Sequence, residues 1–297
     1  MSGLLAQQQP EGEVAVFKAG ASEVRLDVQV LQGKRVVADL TKDDFVVFDE
    51  STKQKLSYFG RESEPLTVVL LLDVSGSMKR FIQDMSRTAV QALKLLRTGD
   101  QVAIMAYGRR AKLHFDFSSN FEDVAGRIRS APDNPYTGSG TSTNEAVIAA
   151  AQLMGKRAPV GRRAIVLVTD NGSLNYQTPD EMVIQELYTA NTVVNAIAVG
   201  KAERPKQMLA SANPDFTWTD VFKLADASGG EAMKAERTDQ SFPELMERVR
   251  TRYALSYVAP EAASKTFRRI RVDLSPEARK RLGEGIKVRV RSGYFVP

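Results

Sequence analysis

The apolar positions of the chain follow two rhythms, and the change comes at Pro65. Before it, apolar and polar residues alternate. Val24, Leu26, Val28 and Val30 share one face and Arg25, Asp27 and Gln29 the other, the period-two signature of a half-buried strand, after which Gly33 turns the chain. Further short strands are expected over 35–38, 45–48 and 55–59, separated by polar turn material, so this segment reads as antiparallel β structure.

Beyond Pro65, apolar runs alternate with helical periods. The unbroken run Val68 to Leu72 suits a strand buried on both faces. Ile82, Met85, Ala89, Leu93 and Leu96 recur at spacings of three and four, which predicts a helix packed on the sheet, with Gly99 placed to stop it. Strands over 101–107 and 111–117 are joined by too short a turn for a crossover and should pair antiparallel. Helices are expected over 120–129, 142–154 (closed by Gly155) and 180–189, with strands over 164–168 and 192–199. This alternation predicts an α/β fold: a doubly wound, mostly parallel, Rossmann-like sheet with helices on both faces.

Ser241-Phe-Pro-Glu244 reads as a capping box opening a helix that runs to about Arg250. Strands over 253–258, 267–274 and 286–295 should then complete the N-terminal β segment as a small antiparallel β domain. The expected division is a disordered tail over 1–20, a β segment over 21–62, the α/β domain over 63–252 and closing strands over 253–297.

Composition narrows the function classes. The absence of cysteine excludes disulfides, thiolate metal sites and cysteine nucleophiles. No apolar stretch approaches the roughly 20 residues of a membrane-spanning helix. Residues 1–10 offer only Leu4, Leu5 and Ala6 before Gln7, short of the apolar run of a secretory signal, and the Gln-rich lead reads as what remains after processing or trimming. The net charge of +5 is mild, and much of the excess lies late, among Arg268, Arg269, Arg271, Arg279, Lys280 and Arg281. Such residues commonly decorate the solvent face of exposed strands, so nucleic acid is not expected as a partner.

The chemistry concentrates where strands end. The run ending at Leu72 leads directly into Asp73-Val-Ser75-Gly-Ser77, three oxygen-bearing side chains at alternate positions with no packing role to explain them. In open α/β sheets, ligands bind beyond the carboxyl ends of strands. A second apolar strand ends in Asp170, and Thr141 precedes a helix after Gly138-Ser-Gly140. Two carboxylates and three hydroxyls form a hard oxygen set, which selects Mg²⁺, with Mn²⁺ or Ca²⁺ as alternatives, over zinc. Neutral hydroxyl ligands leave a cation much of its charge, so an incoming carboxylate is the natural further ligand. The helix N-termini after Ser77 and Thr141 favour the same anionic ligand.

These residues carry a resemblance. Asp73-Val-Ser75-Gly-Ser77, then Thr141 in Gly140-Thr-Ser-Thr143, then Thr169-Asp170 resembles the metal-ion-dependent adhesion site (MIDAS) of von Willebrand factor type A domains, over about residues 63–252. The flanks, Thr41-Lys-Asp-Asp-Phe45 and Arg291-Ser-Gly-Tyr294, resemble a bacterial, acidobacterial-type subfamily of such proteins. The resemblance implies direct ligation by Ser75 and Ser77, a partly water-mediated role for Asp73, and exchange between direct and water-mediated roles for Thr141 and Asp170. It also implies a secreted or periplasmic protein that binds an Asp or Glu carboxylate of a protein partner, in adhesion or assembly, and coupling of that binding to the helix over 241–250. One departure stands out: Asn171 separates Asp170 from Gly172, where the family places glycine directly, so a reshaped loop is expected.

Rival readings are weaker. A Mg²⁺-dependent phosphoryl-transfer enzyme of the aspartyl-phosphate kind needs a second Asp where Ser75 stands. A serine hydrolase needs a base, and the single histidine, His114, falls on the polar face of an expected edge strand, where simple exposure is the plain reading. A scaffold with an idle metal site remains an alternative; an enzyme is not expected. Met78, Met85, Met105, Met154, Met182 and Met246 read as core filler, and the lone Trp218 as cover for the core's edge.

Overall fold

A computed structural model of the protein describes residues 23–61, 64–159, 161–205 and 215–296. The tail expected over 1–20 lies outside these residues. The N-terminal strands are β1 (Glu23–Gln32), β2 (Arg35–Val36), β3 (Phe45–Asp49), β4 (Thr52–Gln54) and β5 (Leu56–Arg61). The α/β part runs β6 (Leu66–Asp73), α1 (Lys79–Leu93), β7 (Gln101–Tyr107), β8 (Ala111–Ser118), α2 (Phe121–Ile128), α3 (Thr143–Arg157), β9 (Arg162–Thr169) and β10 (Leu174–Tyr176). It continues through α4 (Asp180–Thr189), β11 (Val193–Val199), β12 (Phe216–Trp218), α5 (Val221–Ser228), β13 (Ala232–Ala235) and α6 (Thr238–Arg250). The chain closes with β14 (Tyr253–Val258), β15 (Phe267–Leu274), α7 (Pro276–Leu282), β16 (Ile286–Arg289) and β17 (Gly293–Phe295).

The central sheet has the order β13-β11-β9-β6-β7-β8. Every pair in it is parallel except β7 with the edge strand β8. Strand β6 is buried along its whole length because both its faces are covered. Val68, Leu70 and Leu72 pack with residues of α1, α2 and α6, whereas Val69 and Leu71 pack with residues of α3, α4 and α5. Each such buried side chain contributes roughly 1.5–3 kcal/mol. The consequence for the site is direct: β6 and β9 are parallel neighbours at the middle of the sheet, so their carboxyl ends lie side by side.

The two ends of the chain build the remaining β structure together. Strand β1 pairs antiparallel with β14, and β3 with β15. Their inward residues, among them Leu26, Val28, Val47, Leu255 and Val272, form a separate core. At its edge the fully buried Asp49 accepts from the hydroxyls of Tyr257 and Tyr294, each at 2.9 Å, and pairs with Arg268 at 2.6 Å. Burial pushes the Tyr257 and Tyr294 phenols up, so both stay protonated donors at neutral pH.

Several boundaries differ from those expected. Helix α1 ends at Leu93, well before Gly99, because Asp100 organises the turn that follows: its carboxylate accepts from the backbone N–H of Arg97 at 2.8 Å and of Leu66 at 2.7 Å. Gly155 lies inside α3, which continues to Arg157. Ser241 opens no helix, since α6 begins at Thr238 and the Ser241 hydroxyl bonds back to the Arg237 carbonyl at 2.8 Å. Pro243 is tolerated inside α6 because the Asp239 carbonyl, deprived of its N–H partner, accepts from the Thr88 hydroxyl of α1 at 3.0 Å.

The strand expected over 286–295 divides into β16 and β17, and between them the Ser292 N–H bonds to the carbonyl of Ala227 in α5. Arg279, Lys280 and Arg281 lie on α7, capped by Ser275, and not on a strand. The polar face of β1 is not solvated from Asp27 onward, because it lies against the floor of the α/β part. Gln29 is buried, and Asp27 pairs with the buried Arg162 at 2.7 Å and with the buried Arg252.

Candidate metal centre

Asp73 closes β6 and is fully buried. Its Oδ1 accepts from the Ser75 backbone N–H at 3.0 Å, which bends the chain sharply out of the strand. Its Oδ2 accepts from the Thr169 hydroxyl at 2.9 Å, tying the end of β6 to the end of β9. Burial pushes the Asp73 carboxyl up to about 6; the bonds from Ser75 and Thr169 oppose that rise and the nearby Asp170 adds to it.

The turn delivers Ser75 and Ser77 to one spot, their hydroxyl oxygens 3.3 Å apart. From the neighbouring strand end, Asp170 meets them: the Ser77 hydroxyl donates to its Oδ2 at 2.7 Å, and Oδ1 accepts from the Gly172 N–H at 3.0 Å. Asp73, Ser75, Ser77 and Asp170 are therefore brought together. Thr141 enters differently. Its carbonyl accepts from Leu174 N–H at 3.1 Å, and among the described residues no hydrogen bond links its hydroxyl to the other four.

The loop carrying Thr141 is seated on the end of β7 by close backbone approach. Arg110 N–H bonds to the Thr137 carbonyl at 2.8 Å, and Ser142 N–H to the Gly108 carbonyl at 2.9 Å. A Cβ at Gly108 would stand 2.6 Å from the Gly138 carbonyl oxygen and 3.0 Å from that of Gly140, so only glycine fits there. Beneath this loop the buried Tyr107 places its hydroxyl 3.2 Å from that of Thr143. Thr169, Tyr107 and Gly108 were not among the expected site residues. Thr169 carried a local signal in its place directly before Asp170, and Gly108 in being a glycine directly after a buried strand; Tyr107 carried none.

Asn171 takes the strained place in the loop. It adopts φ 59°, in the left-handed region that asparagine tolerates better than most residues. Its amide donates to the Glu203 carbonyl at 2.7 Å and accepts from Val221 N–H at 3.4 Å. The extra residue is thus absorbed by local bonding, and Asp170 still reaches Ser77.

His114 is half-buried on β8, not simply exposed, and its ring lies 3.1 Å from the Ser130 hydroxyl. Among the described residues no hydrogen bond joins it to Ser75 or Ser77. Trp218 does not cover the core: it is 43% exposed on β12, opposite Leu174. Five of the six methionines expected as core filler are buried, and Met182 is exposed.

Among the described residues no group of three or more His, Cys, Asp or Glu is placed to hold a metal. A cation at the Asp73 loop would instead rest on hydroxyls, two carboxylates and water. That all-oxygen set fits a hard divalent ion.

Residues 68–173, which run from β6 through Ser75, Ser77 and Thr141 to the Asp170 loop, match the family described as von Willebrand factor type A domain. Solved structures similar to the chain include an aerotolerance-related membrane protein from Bacteroides fragilis (15% identity, TM-score 0.47, covering 62% of this chain and 98% of that one). A von Willebrand factor type A protein from Catenulispora acidiphila is similar at 14% identity and TM-score 0.47, covering 93% of this chain and 76% of that one. Proximal thread matrix protein 1 from the mussel byssus, with a zinc-occupied MIDAS motif, is similar at 16% identity and TM-score 0.48, covering 69% of this chain and 50% of that one. Comparison with curated proteins returned no match. The chain carries a von Willebrand factor type A domain, matched over residues 68–173.

Proposed function

We propose that the chain is a divalent-cation-dependent protein-binding module, serving adhesion or assembly, and not an enzyme. In this reading Asp73, Ser75, Ser77, Thr141 and Asp170 hold a Mg²⁺-type ion at a MIDAS, with Mn²⁺ or Ca²⁺ as alternatives. An Asp or Glu carboxylate of a partner protein completes the coordination. The observation that supports it is the convergence of Ser75, Ser77 and Asp170, two hydroxyls 3.3 Å apart with the second 2.7 Å from a carboxylate delivered by another strand.

The bound ion supplies a positively charged open position for an anionic ligand. Everything else comes from the chain. Asp73 fixes the turn that presents Ser75 and Ser77, and Thr169 holds Asp73 in place. Gly108 lets the Thr141 loop approach β7. Helices α1 and α3 begin just after Ser77 and Thr141, so their positive dipole ends add to the attraction for a carboxylate. In the same reading, the doubly wound domain spans 63–252 and is inserted between β segments over 21–62 and 253–297. A secreted or periplasmic location follows from the subfamily resemblance.

The test is a displayed peptide library panned on the protein in Mg²⁺ and eluted with EDTA. Recovered peptides should share an Asp or Glu whose change to Asn or Gln abolishes capture. Capture that is indifferent to EDTA contradicts the reading.

A further inference from the structure

Away from the Asp73 loop, a cavity of about 660 Å³ opens between α4 and the strands that close the chain, within the roughly 300–1,000 Å³ range of small-molecule sites. One wall is aromatic and held in place. The Tyr188 hydroxyl donates to the Ala227 carbonyl at 3.0 Å and lies 2.6 Å from the Ser292 hydroxyl. Its ring stacks on Phe267 with centroids 6.0 Å apart, and Phe295 lies 5.3 Å from Phe267. The hydroxyl of Tyr294, which also lines the cavity, is engaged by Asp49. The aromatic lining therefore needs no ligand to satisfy its own polar atoms.

The charges are unbalanced. Glu23 and Arg25, at the cavity's rim, pair with each other at 3.5 Å. Lys265 and Arg291 also line it, and among the described residues no carboxylate pairs with either. The Nε of Arg291 is buried with no hydrogen-bond partner, and its guanidinium lies 5.9 Å from the Tyr294 ring centre. Burial pushes the Arg291 pKa down to about 10, which still leaves it charged at neutral pH. A half-buried guanidinium with a buried, unpartnered Nε and no counter-charge gains from a planar anion offering two oxygens.

We propose that this cavity binds a small-molecule carboxylate with an apolar body, the carboxylate paired with Arg291 and Lys265 and the body lying against Tyr188 and Phe295. A monoanion is favoured over a phosphate dianion. The cavity meets α4 at Gln185, Tyr188 and Thr189, the last two turns of that helix, so the nearest helix dipole end is negative and opposes a second charge. The proposal uses none of the Asp73 loop and stands apart from the metal.

The test is calorimetric titration of the full chain with hydrocinnamate, its neutral amide hydrocinnamamide, and phenyl phosphate, each with and without EDTA. Hydrocinnamate should bind saturably and regardless of EDTA, with the amide and the phosphate each at least about tenfold weaker. Arg291→Gln and Lys265→Gln should each weaken hydrocinnamate binding, and because Lys265 is exposed, the second variant decides the matter if the first fails to fold. Equal binding of the amide, preference for the phosphate, hydrocinnamate affinity unchanged in Lys265→Gln, or no saturable binding at millimolar concentration would each overturn the proposal.

Discussion

The Ser77 hydroxyl donates a 2.7 Å hydrogen bond to Oδ2 of Asp170, joining two loops whose residues stand 93 positions apart. That hydrogen bond joins two oxygens that the proposed site would use as ligands, and a cation held by both would require the hydroxyl hydrogen to turn outward. Asp170→Asn keeps the shape of the contact and removes the charge. It is expected to weaken Mg²⁺ or Mn²⁺ binding at least about tenfold while changing fold stability by about 0.5 kcal/mol or less. Calorimetry and urea denaturation of the same samples check both halves.

Asp73 gives a pH signature. Its carboxyl is raised from an ordinary 3.8 to about 6, so the metal-free fold takes up a proton between those values. The resulting destabilisation is absent below pH 3.8, grows as pH rises through the window and is complete above pH 6. At pH 7.5 it amounts to about 3 kcal/mol. Asp73→Asn in EDTA should therefore be more stable than the parent at pH 7.5, with the difference vanishing near pH 4. Urea denaturation at the two pH values checks this, and a parent protein more stable than the variant at pH 7.5 contradicts it.

Asp27 is the shared counter-ion of two buried guanidinium groups, Arg162 and Arg252, which are 3% and 1% exposed. Asp27→Ala leaves both without it and should lower stability by about 3–5 kcal/mol. Because Asp27 sits on β1 while Arg162 opens β9, the β structure and the α/β part should lose stability together, in one transition. A loss below about 1 kcal/mol, or a separate early transition, speaks against this coupling.

Gly108→Ala places a methyl 2.6 Å from a carbonyl oxygen of the loop that carries Thr141. The loop must shift, so ion affinity is expected to fall together with the thermal midpoint. Unchanged affinity in this variant would show that the position of Thr141 is immaterial to the site.

Much of this arrangement was legible in the sequence. The unbroken apolar run from Val68 to Leu72 marked the central strand, and the oxygen-bearing residues that follow it could hardly be packing residues. What escaped was non-local. Asp27 read as a solvent-facing residue because nothing local to β1 shows that the α/β part covers that face. Pro243 read as a helix start because its tolerance inside α6 depends on Thr88, a residue of another helix. Tyr107 lies beneath the site without any spacing that would mark it. Helix α7 carried a local signal in Ser275-Pro276, which its Arg-rich face obscured.

The central claim is most directly tested by calorimetric titration of chelator-stripped protein with Mg²⁺ and Mn²⁺, beside a variant carrying Asp73→Ala and Ser75→Ala. Saturable binding to a single site in the parent, lost in the variant, is the expected result. No saturable binding in the parent, or equal binding in the variant, contradicts a metal centre at the Asp73 loop.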